Sequence, residues 1–334
     1  MSEVLELKPG VEIKEAIFQI NEEIEKLKFG ENPVELYDPI HYFMKLGGKR
    51  SRPLLALMSY SLFKEDYKSI MLPAIGLEIF HNFTLIHDDI MDKAPLRRGK
   101  ETVHQKWNDN IAILSGDVMM IKVYDFFLGV EDPSKISRVI SRFNRTAVEV
   151  CEGQQKDMNF ESLPTVSETE YLEMIRQKTA VLIGYALELG GILSDADEDS
   201  IHYLRQFGED IGTGFQLMDD LLDVYADQSK FGKQVGGDII ENKKTFLLIN
   251  ALNKANPAQR EELDKWIAAK DFDKDEKVKA VVEIYNLLGI KELTERKMNE
   301  YFDRSFDSLS KISASDEAKE PLLRFAKYLI SRDK

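Results

Sequence analysis

Apolar residues return along almost the whole chain at intervals of three and four, the period of a helix with one buried face. Val11 to Lys28 is the first such run, carrying Val11, Ile13, Ala16, Ile17, Ile20, Ile24 and Leu27, with Gly30 as its stop. Tyr37 to Leu46 makes a second, closed by Gly47-Gly48. Pro53 opens a third that reaches Phe63, its missing N–H harmless at a first helical position. Leu72 to Met91 is long and apolar, and Pro95 ends it. The period continues over Ile111–Leu128, Ile136–Met158 and Glu168–Leu193, the last begun by the capping box Ser167-x-x-Glu170. Ser200–Tyr225, Thr245–Lys254, Pro257–Ala269, Glu276–Leu288, Lys291–Leu309 and Asp316–Ile330 complete the series. No alternating β-branched run and no hairpin signal interrupts it. The expected fold is all-α, a bundle of about a dozen helices.

The chain has 334 residues, and no linker, low-complexity tract or composition break divides them. One domain over residues 1–334 is therefore expected, although length alone would allow two. A net charge of -14 argues against nucleic acid and against attachment to anionic lipid. The single cysteine, Cys151, excludes an internal disulfide framework and fits a reducing compartment. Its apolar helical surroundings suggest a buried thiol. The start, MSEVLELKPG, lacks a basic segment followed by an apolar one, so it does not read as a signal peptide. The apolar stretch around Ala180 to Leu193 is broken by Glu188 and Gly190 and is too short to span a bilayer. A cytoplasmic protein without an integral membrane segment is expected.

Charge enters the helical pattern at two matching places. The run Phe80 to Gly99, FHNFTLIHDDIMDKAPLRRG, ends in Asp88, Asp89 and Asp92, followed by Arg97 and Arg98. Asp88 and Asp92 share a helix face, where like charges repel unless something cationic sits between them. Oxygen-only ligands in small number point to Mg²⁺, with phosphates supplying the rest, and guanidinium forks suit phosphate oxygens. The second place is FQLMDDLLD, with Asp219, Asp220 and Asp223 at the same spacing; Lys233, Lys243 and Lys244 follow. If the two helices face one another, six carboxylates converge, an arrangement that demands bound cations. A diphosphate bridging Mg²⁺ ions would neutralise both.

Three further motifs stand in order: GGKRSRP at Gly47 to Pro53, GQQKDM at Gly153 to Met158, and Lys178-Thr179. Together with LIHDDIMD-LRRG and FQLMDDLLD-FGKQVGGDIIENK they carry a resemblance to trans-isoprenyl diphosphate synthases of the polyprenyl synthetase family, the farnesyl and geranylgeranyl diphosphate synthases among them. The resemblance runs from about Gly47 to Lys244. It implies helices around a central cavity, a homodimer, and Mg²⁺-dependent head-to-tail condensation of isopentenyl diphosphate with an allylic diphosphate. Ile111–Leu128 is a candidate for the dimer interface.

By that resemblance Asp88, Asp92, Asp219, Asp220 and Asp223 hold the metal, and Asp89 belongs to the catalytic set. Lys49, Arg52, His81 and Arg98 meet the diphosphate of isopentenyl diphosphate, while Arg50 has no such role. Arg97, Lys178, Lys233 and Lys243 act on the allylic diphosphate, and Thr179 and Gln216 lie near the developing cation. Gly232, Gly236 and Gly237 would let the Lys233 loop close. His87 is expected to orient a neighbour, since imidazole is a poor partner for Mg²⁺.

Product length should follow the space along the first aspartate helix. Phe83 lies about 7.5 Å before Asp88 at roughly 1.5 Å rise per residue, so its ring resembles a floor. Thr84 beside it is small, where synthases resembling the animal C15 enzymes carry an aromatic, and DDIMD lacks the bacterial two-residue insertion. The pattern resembles archaeal C20 synthases, with C15 next and longer polyprenyl products third. A terpene cyclase would normally replace the second DDxxD, and a non-catalytic subunit of a heteromeric synthase would normally lose one motif. A metal-buffering helical protein would explain the acids but not the ordered cations.

Overall fold

A computed structural model describes residues 13–226 and 236–331. Its first half runs through α1 (Ile13–Lys26), α2 (Val34–Lys45), α3 (Ser51–Tyr60), α4 (Met71–Met91), α5 (Val103–Lys106) and α6 (Asp109–Leu128). The long α7 (Pro133–Ser162) follows, then α8 (Glu168–Ile175), α9 (Val181–Leu193) and α10 (Glu198–Tyr225). Beyond these come helices over Gly237–Ile240, Phe246–Lys254, Pro257–Ala268, Lys274–Leu288, Ile290–Ser310 and Asp316–Ser331. The fold is all-α, as the apolar period requires.

Four features depart from the sequence reading. Leu96–Arg97 and Lys100–Glu101 form a two-stranded antiparallel ribbon. Its turn has φ 54° at Arg98 and 74° at Gly99, the doubly positive pair that a two-residue hairpin needs. The expected single helix Glu168–Leu193 is interrupted by a π-helical turn, Arg176–Ala180. α3 begins at Ser51, so Pro53 is its third residue; the N–H it lacks is still one of the first four, which have no intrahelical acceptor. Cys151 is exposed, because it lies one step off the buried line Phe143, Ala147, Val150 on α7.

The chain divides into two compact units. The first takes residues up to Asn144 with Tyr185–Leu204 and Ile312–Arg324. Its centre is α4, buried from Ala74 to Phe80. The stretch Tyr67–Met91 is long and apolar enough to cross a membrane, yet 67% of its apolar window is buried within the fold, as in a core helix. Phe80, Phe127 and Tyr185 gather around Phe143, with ring centroids 5.0, 4.9 and 6.0 Å away. Gly190 lets α9 meet the backbone of α3, since a Cβ there would lie 2.4 Å from Ala56 O.

The second unit takes Arg145–Gly184, Arg205–Lys311 and the residues from Phe325. One buried cluster joins Leu221 and Val224 of α10 to Leu247, Val281, Tyr285 and Ile290. Another joins Tyr171, Met174 and Ile175 of α8 to Leu217, Phe246 and Ile249. Both clusters fix the C-terminal half of α10, which carries the second aspartate motif.

Candidate active site

On the first unit, α4 delivers its aspartates at a defined helix end. Asp92 is the C-cap, and Lys93 follows in the left-handed region at φ 51°. Lys93 N–H donates to Ile90 O at 3.2 Å and Ala94 N–H to Asp89 O at 2.9 Å, the paired bonds of a Schellman ending. Asp88 and Asp92 thus sit at the negative end of the helix dipole, where carboxylates are disfavoured and a cation is welcome. Asp89 points inward at 1% exposure and receives Arg97 through both Nε and Nη2 at 2.7 Å. Burial pushes its carboxyl up, and Arg97 opposes that shift. Arg97 Nη2 also lies 3.6 Å from Asp88 Oδ2.

The hairpin after α4 brings Arg98 back to the Gly47-Gly48 loop, where its guanidinium donates to Gly47 O. A Cβ on Gly48 would meet Arg98 Nη2 at 3.0 Å, so the guanidinium lies close over this loop. Arg52 has a buried Nε without a hydrogen-bond partner, and burial lowers its pKa to about 10. His81 is held neutral, well below the usual imidazole range, first by burial and then by Arg52, Arg98, Arg97 and Arg50. Lys49 lies outward, whereas Arg50 is 3% exposed and paired to Glu78. A guanidinium cluster with an orphaned buried donor and a neutral imidazole is built to receive an oxyanion.

Further along α4, the Phe83 ring is 4.7 Å from His87 and 5.7 Å from Phe80. Thr84 Oγ1 donates to His81 O at 2.8 Å. His87 Nε2 lies 3.2 Å from Ile113 O, against Gly116 of α6.

On the second unit, α7 and the π-helical turn cross at Gly153, where a Cβ would be 2.3 Å from Lys178 N. One helical turn on, Asp157 receives Lys178 Nζ at 2.6 Å. Thr179 Oγ1 reaches Gln216 Oε1 at 3.4 Å, so these two predicted neighbours do meet. A π-turn inserts a residue into the helical register and re-aims the side chains around it, a device frequent at functional sites.

Asp220 is buried and accepts from Tyr171 OH. Burial raises its carboxyl well above the usual range, against the pull of the Tyr171 hydrogen bond. Asp223 Oδ2 accepts Asp238 N–H at 2.9 Å, and its backbone O accepts Gly236 N–H at 2.6 Å. Gly236 has φ 84°, and a Cβ there would strike Val278 at 2.6 Å. Gly236 serves close approach to Val278, and a Cβ on Gly237 would lie 3.2 Å from Asp223 Oδ1. Lys243 pairs with Asp238 at 3.5 Å and Glu241 at 3.3 Å, and Lys244 donates to Phe160 O at 2.6 Å, capping α7. Lys233 and Gly232 lie outside the described residues.

Each motif therefore sorts its acids alike: the middle carboxylate is buried on a protein partner, and the outer two are less enclosed. Among the described residues no three His, Cys, Asp or Glu side chains form a ready metal cage. Two oxygen donors per helix end, beside a cation cluster suited to phosphate, still match the sparse protein contribution that Mg²⁺ accepts. The residues fit the ion. Asp157, Tyr171, Gly153 and the Arg50–Glu78 pair were not assigned from sequence. Asp157 and Gly153 lie inside GQQKDM, yet their partners are set by a helix crossing that no spacing encodes.

A family model described as polyprenyl synthetase matches residues 33–285. The chain is 38% identical over 331 residues to the geranylgeranyl pyrophosphate synthase of Geoglobus acetivorans, covering 96% of this chain and 98% of that one. It is 38% identical over 272 residues to the short chain isoprenyl diphosphate synthase of Methanocaldococcus jannaschii, covering 81% and 82%. Among solved structures it is similar to a geranylgeranyl pyrophosphate synthase crystal structure, with TM-score 0.91 and 42% identity over 96% of this chain and 99% of that chain.

Proposed function

The chain belongs to the polyprenyl synthetase family and is a prenyltransferase, and from that premise we propose that it condenses isopentenyl diphosphate with allylic diphosphates to a C20 product, C15 being next. The observation that carries this reading is the guanidinium cluster, with the unpartnered Arg52 Nε beside neutral His81, joined through the α4 hairpin to Asp88 and Asp92. Lys49, Arg52, His81 and Arg98 take the diphosphate of isopentenyl diphosphate. Arg97, Lys178, Lys233 and Lys243 take the allylic diphosphate.

Asp88, Asp92, Asp219 and Asp223 would hold Mg²⁺; Asp220, expected from the resemblance as a fifth ligand, is instead buried on Tyr171, and with Asp89 it shapes the two helix ends from inside. When bound, the ion supplies Lewis-acid neutralisation of the leaving diphosphate. The C1–O bond of the allylic diphosphate breaks as Arg97, Lys178, Lys233 and Lys243 stabilise the departing diphosphate, a preorganised electrostatic effect. Thr179 Oγ1 and Gln216 Oε1 turn their dipoles toward the allylic carbon that becomes positive. The double bond of isopentenyl diphosphate attacks that carbon to form the new C–C bond, and the proton lost from C2 goes to the released diphosphate. No His–Asp or Ser–His pair is required.

This reading includes one synthase domain over residues 1–334, a cytoplasmic setting and a homodimer. The exposed apolar stripe Leu114, Ile121 and Leu128 on α6, at 57, 67 and 57% exposure, supports the last. Its seven-residue spacing keeps the three on one face.

The test is incorporation of radiolabelled isopentenyl diphosphate with separate C5, C10 and C15 allylic primers. Asp88→Ala is expected to cut turnover by about 10²-fold or more, the scale of an electrostatic contact made in the transition state. Its Tm should hold or rise, because a like-charge pair at a helix C-terminus is relieved. Full activity in that variant would remove the assignment.

A further inference from the structure

Of the three cations in the Gly47–Pro53 stretch, Arg50 is the most enclosed, and it pairs with a carboxylate inside the fold. Nη1 donates to Glu78 Oε1 at 2.8 Å, Nε to Asn21 Oδ1 at 3.0 Å, and Nη2 to Met44 O at 3.2 Å. The two ionic side chains are each 3% exposed. Glu78 also accepts Asn82 Nδ2 at 3.2 Å, and Asn82 is fully buried one residue beyond His81 on α4. One guanidinium thus joins α1, α2, the loop and α4.

A buried ion pair is weak evidence for stability, since a well-packed apolar pair of similar volume often does as well. What directed hydrogen bonds add is a fixed geometry. Here the geometry is unusual: Arg50 is the N-cap of α3 with φ 50° and ψ 32°. That left-handed conformation costs a non-glycine residue about 1 kcal/mol, and the surrounding contacts must hold it. The turn at Arg50 sends the preceding Lys49 outward and sets Arg52 in the first turn of α3, where its charge reaches His81. The Glu78 charge acts on Arg52 and Arg98 as well.

We propose that the buried Arg50–Glu78 pair positions the diphosphate-binding cations, locking the left-handed turn so that Lys49 and Arg52 are presented together to isopentenyl diphosphate. Arg50 does not touch the substrate; it is a positioning residue. The inference rests on the reading of Lys49, Arg52 and His81 as the isopentenyl diphosphate site.

The experiment is calorimetric titration of the full chain with isopentenyl diphosphate, which does not react without an allylic partner, together with KM for each substrate. Arg50→Lys keeps the charge but cannot reach three acceptors from a planar fork. Its Kd for isopentenyl diphosphate should rise about ten-fold, the scale of one charged hydrogen bond, with allylic KM and kcat within about two-fold. Asn21→Ala, which removes only the partly buried acceptor of Nε, should raise that Kd about three-fold, the scale of a modest hydrogen bond. If both substrates' KM values move together, or only Tm falls, the pair is merely structural and the proposal is overturned. Should Arg50→Lys not fold, Asn21→Ala decides, and an unchanged Kd overturns the proposal. A parent chain that fails to bind isopentenyl diphosphate defeats the underlying site reading, an outcome distinct from failure of the variants alone.

Discussion

Three aspartates in a row of five are chemically equal on paper and unequal in the fold. Asp89 and Asp220 are buried against Arg97 and Tyr171, so they hold the motif's shape from inside. Asp88 and Asp92 keep the helix-end position where a cation relieves repulsion. Gly153 shows the same dependence on context. It is one glycine among nineteen, yet its missing Cβ is what lets α7 touch the backbone of Gln177 and Lys178, at 2.7 and 2.3 Å from where that Cβ would be. Gly153→Ala must push these segments apart. Overpacking of this kind costs about 1–3 kcal/mol, or roughly a 1–4 °C fall in Tm for a chain this long. Scanning calorimetry checks the first figure. Steady-state kinetics should show KM for the allylic substrate rising more than KM for isopentenyl diphosphate, because Lys178 and Thr179 move and the Arg52 cluster does not.

Elements followed apolar periodicity closely in their middles and less closely at their starts. α6, α7, α10 and the helix Lys274–Leu288 each begin before the first apolar residue of the pattern, capped by polar residues. Asn108 accepts Ile111 N–H at 2.9 Å, Asp132 accepts Ser134 N–H at 2.9 Å, Asp197 accepts Ser200 N–H at 2.8 Å and Asp273 accepts Glu276 N–H at 2.9 Å. The cap lies a turn ahead of the buried face, so periodicity cannot see it. The hairpin was missed for a related reason: its turn is Arg98-Gly99, and an arginine at positive φ is held by the Gly47 loop. α4 and α6 together frame the product-length question. Phe83 stacks edgewise on His87, which is itself braced on α6 at Ile113, so the ring is held in place on α4. Phe83→Ala removes that ring, and chromatography of dephosphorylated products should show longer prenyl chains. An unchanged distribution would discredit Phe83 as the stop.

At the scale of the molecule, a net charge of -14 repels diphosphate substrates at a distance. On the proposed reading, capture therefore depends on local cations, the Arg52–Arg98 cluster among them. α6 poses the second question at this scale. It is apolar on nearly every side; Met119, Val123 and Phe127 face the core, while Leu114, Ile121 and Leu128 face out. A helix apolar all round is normally covered all round. If the proposed homodimer covers this face, Ile121→Glu should lower the sedimentation coefficient to that of a monomer, and a dimeric variant would remove α6 from the proposed interface. The helical class, the family and the five motifs are legible in the residues alone, because period and residue type are local properties that survive any packing. Which aspartate is buried, which arginine pairs with Glu78, where Lys178 finds Asp157 and why Gly153 is glycine emerge from packing. Those depend on where two distant helices cross, and a crossing point is written in no single stretch of chain.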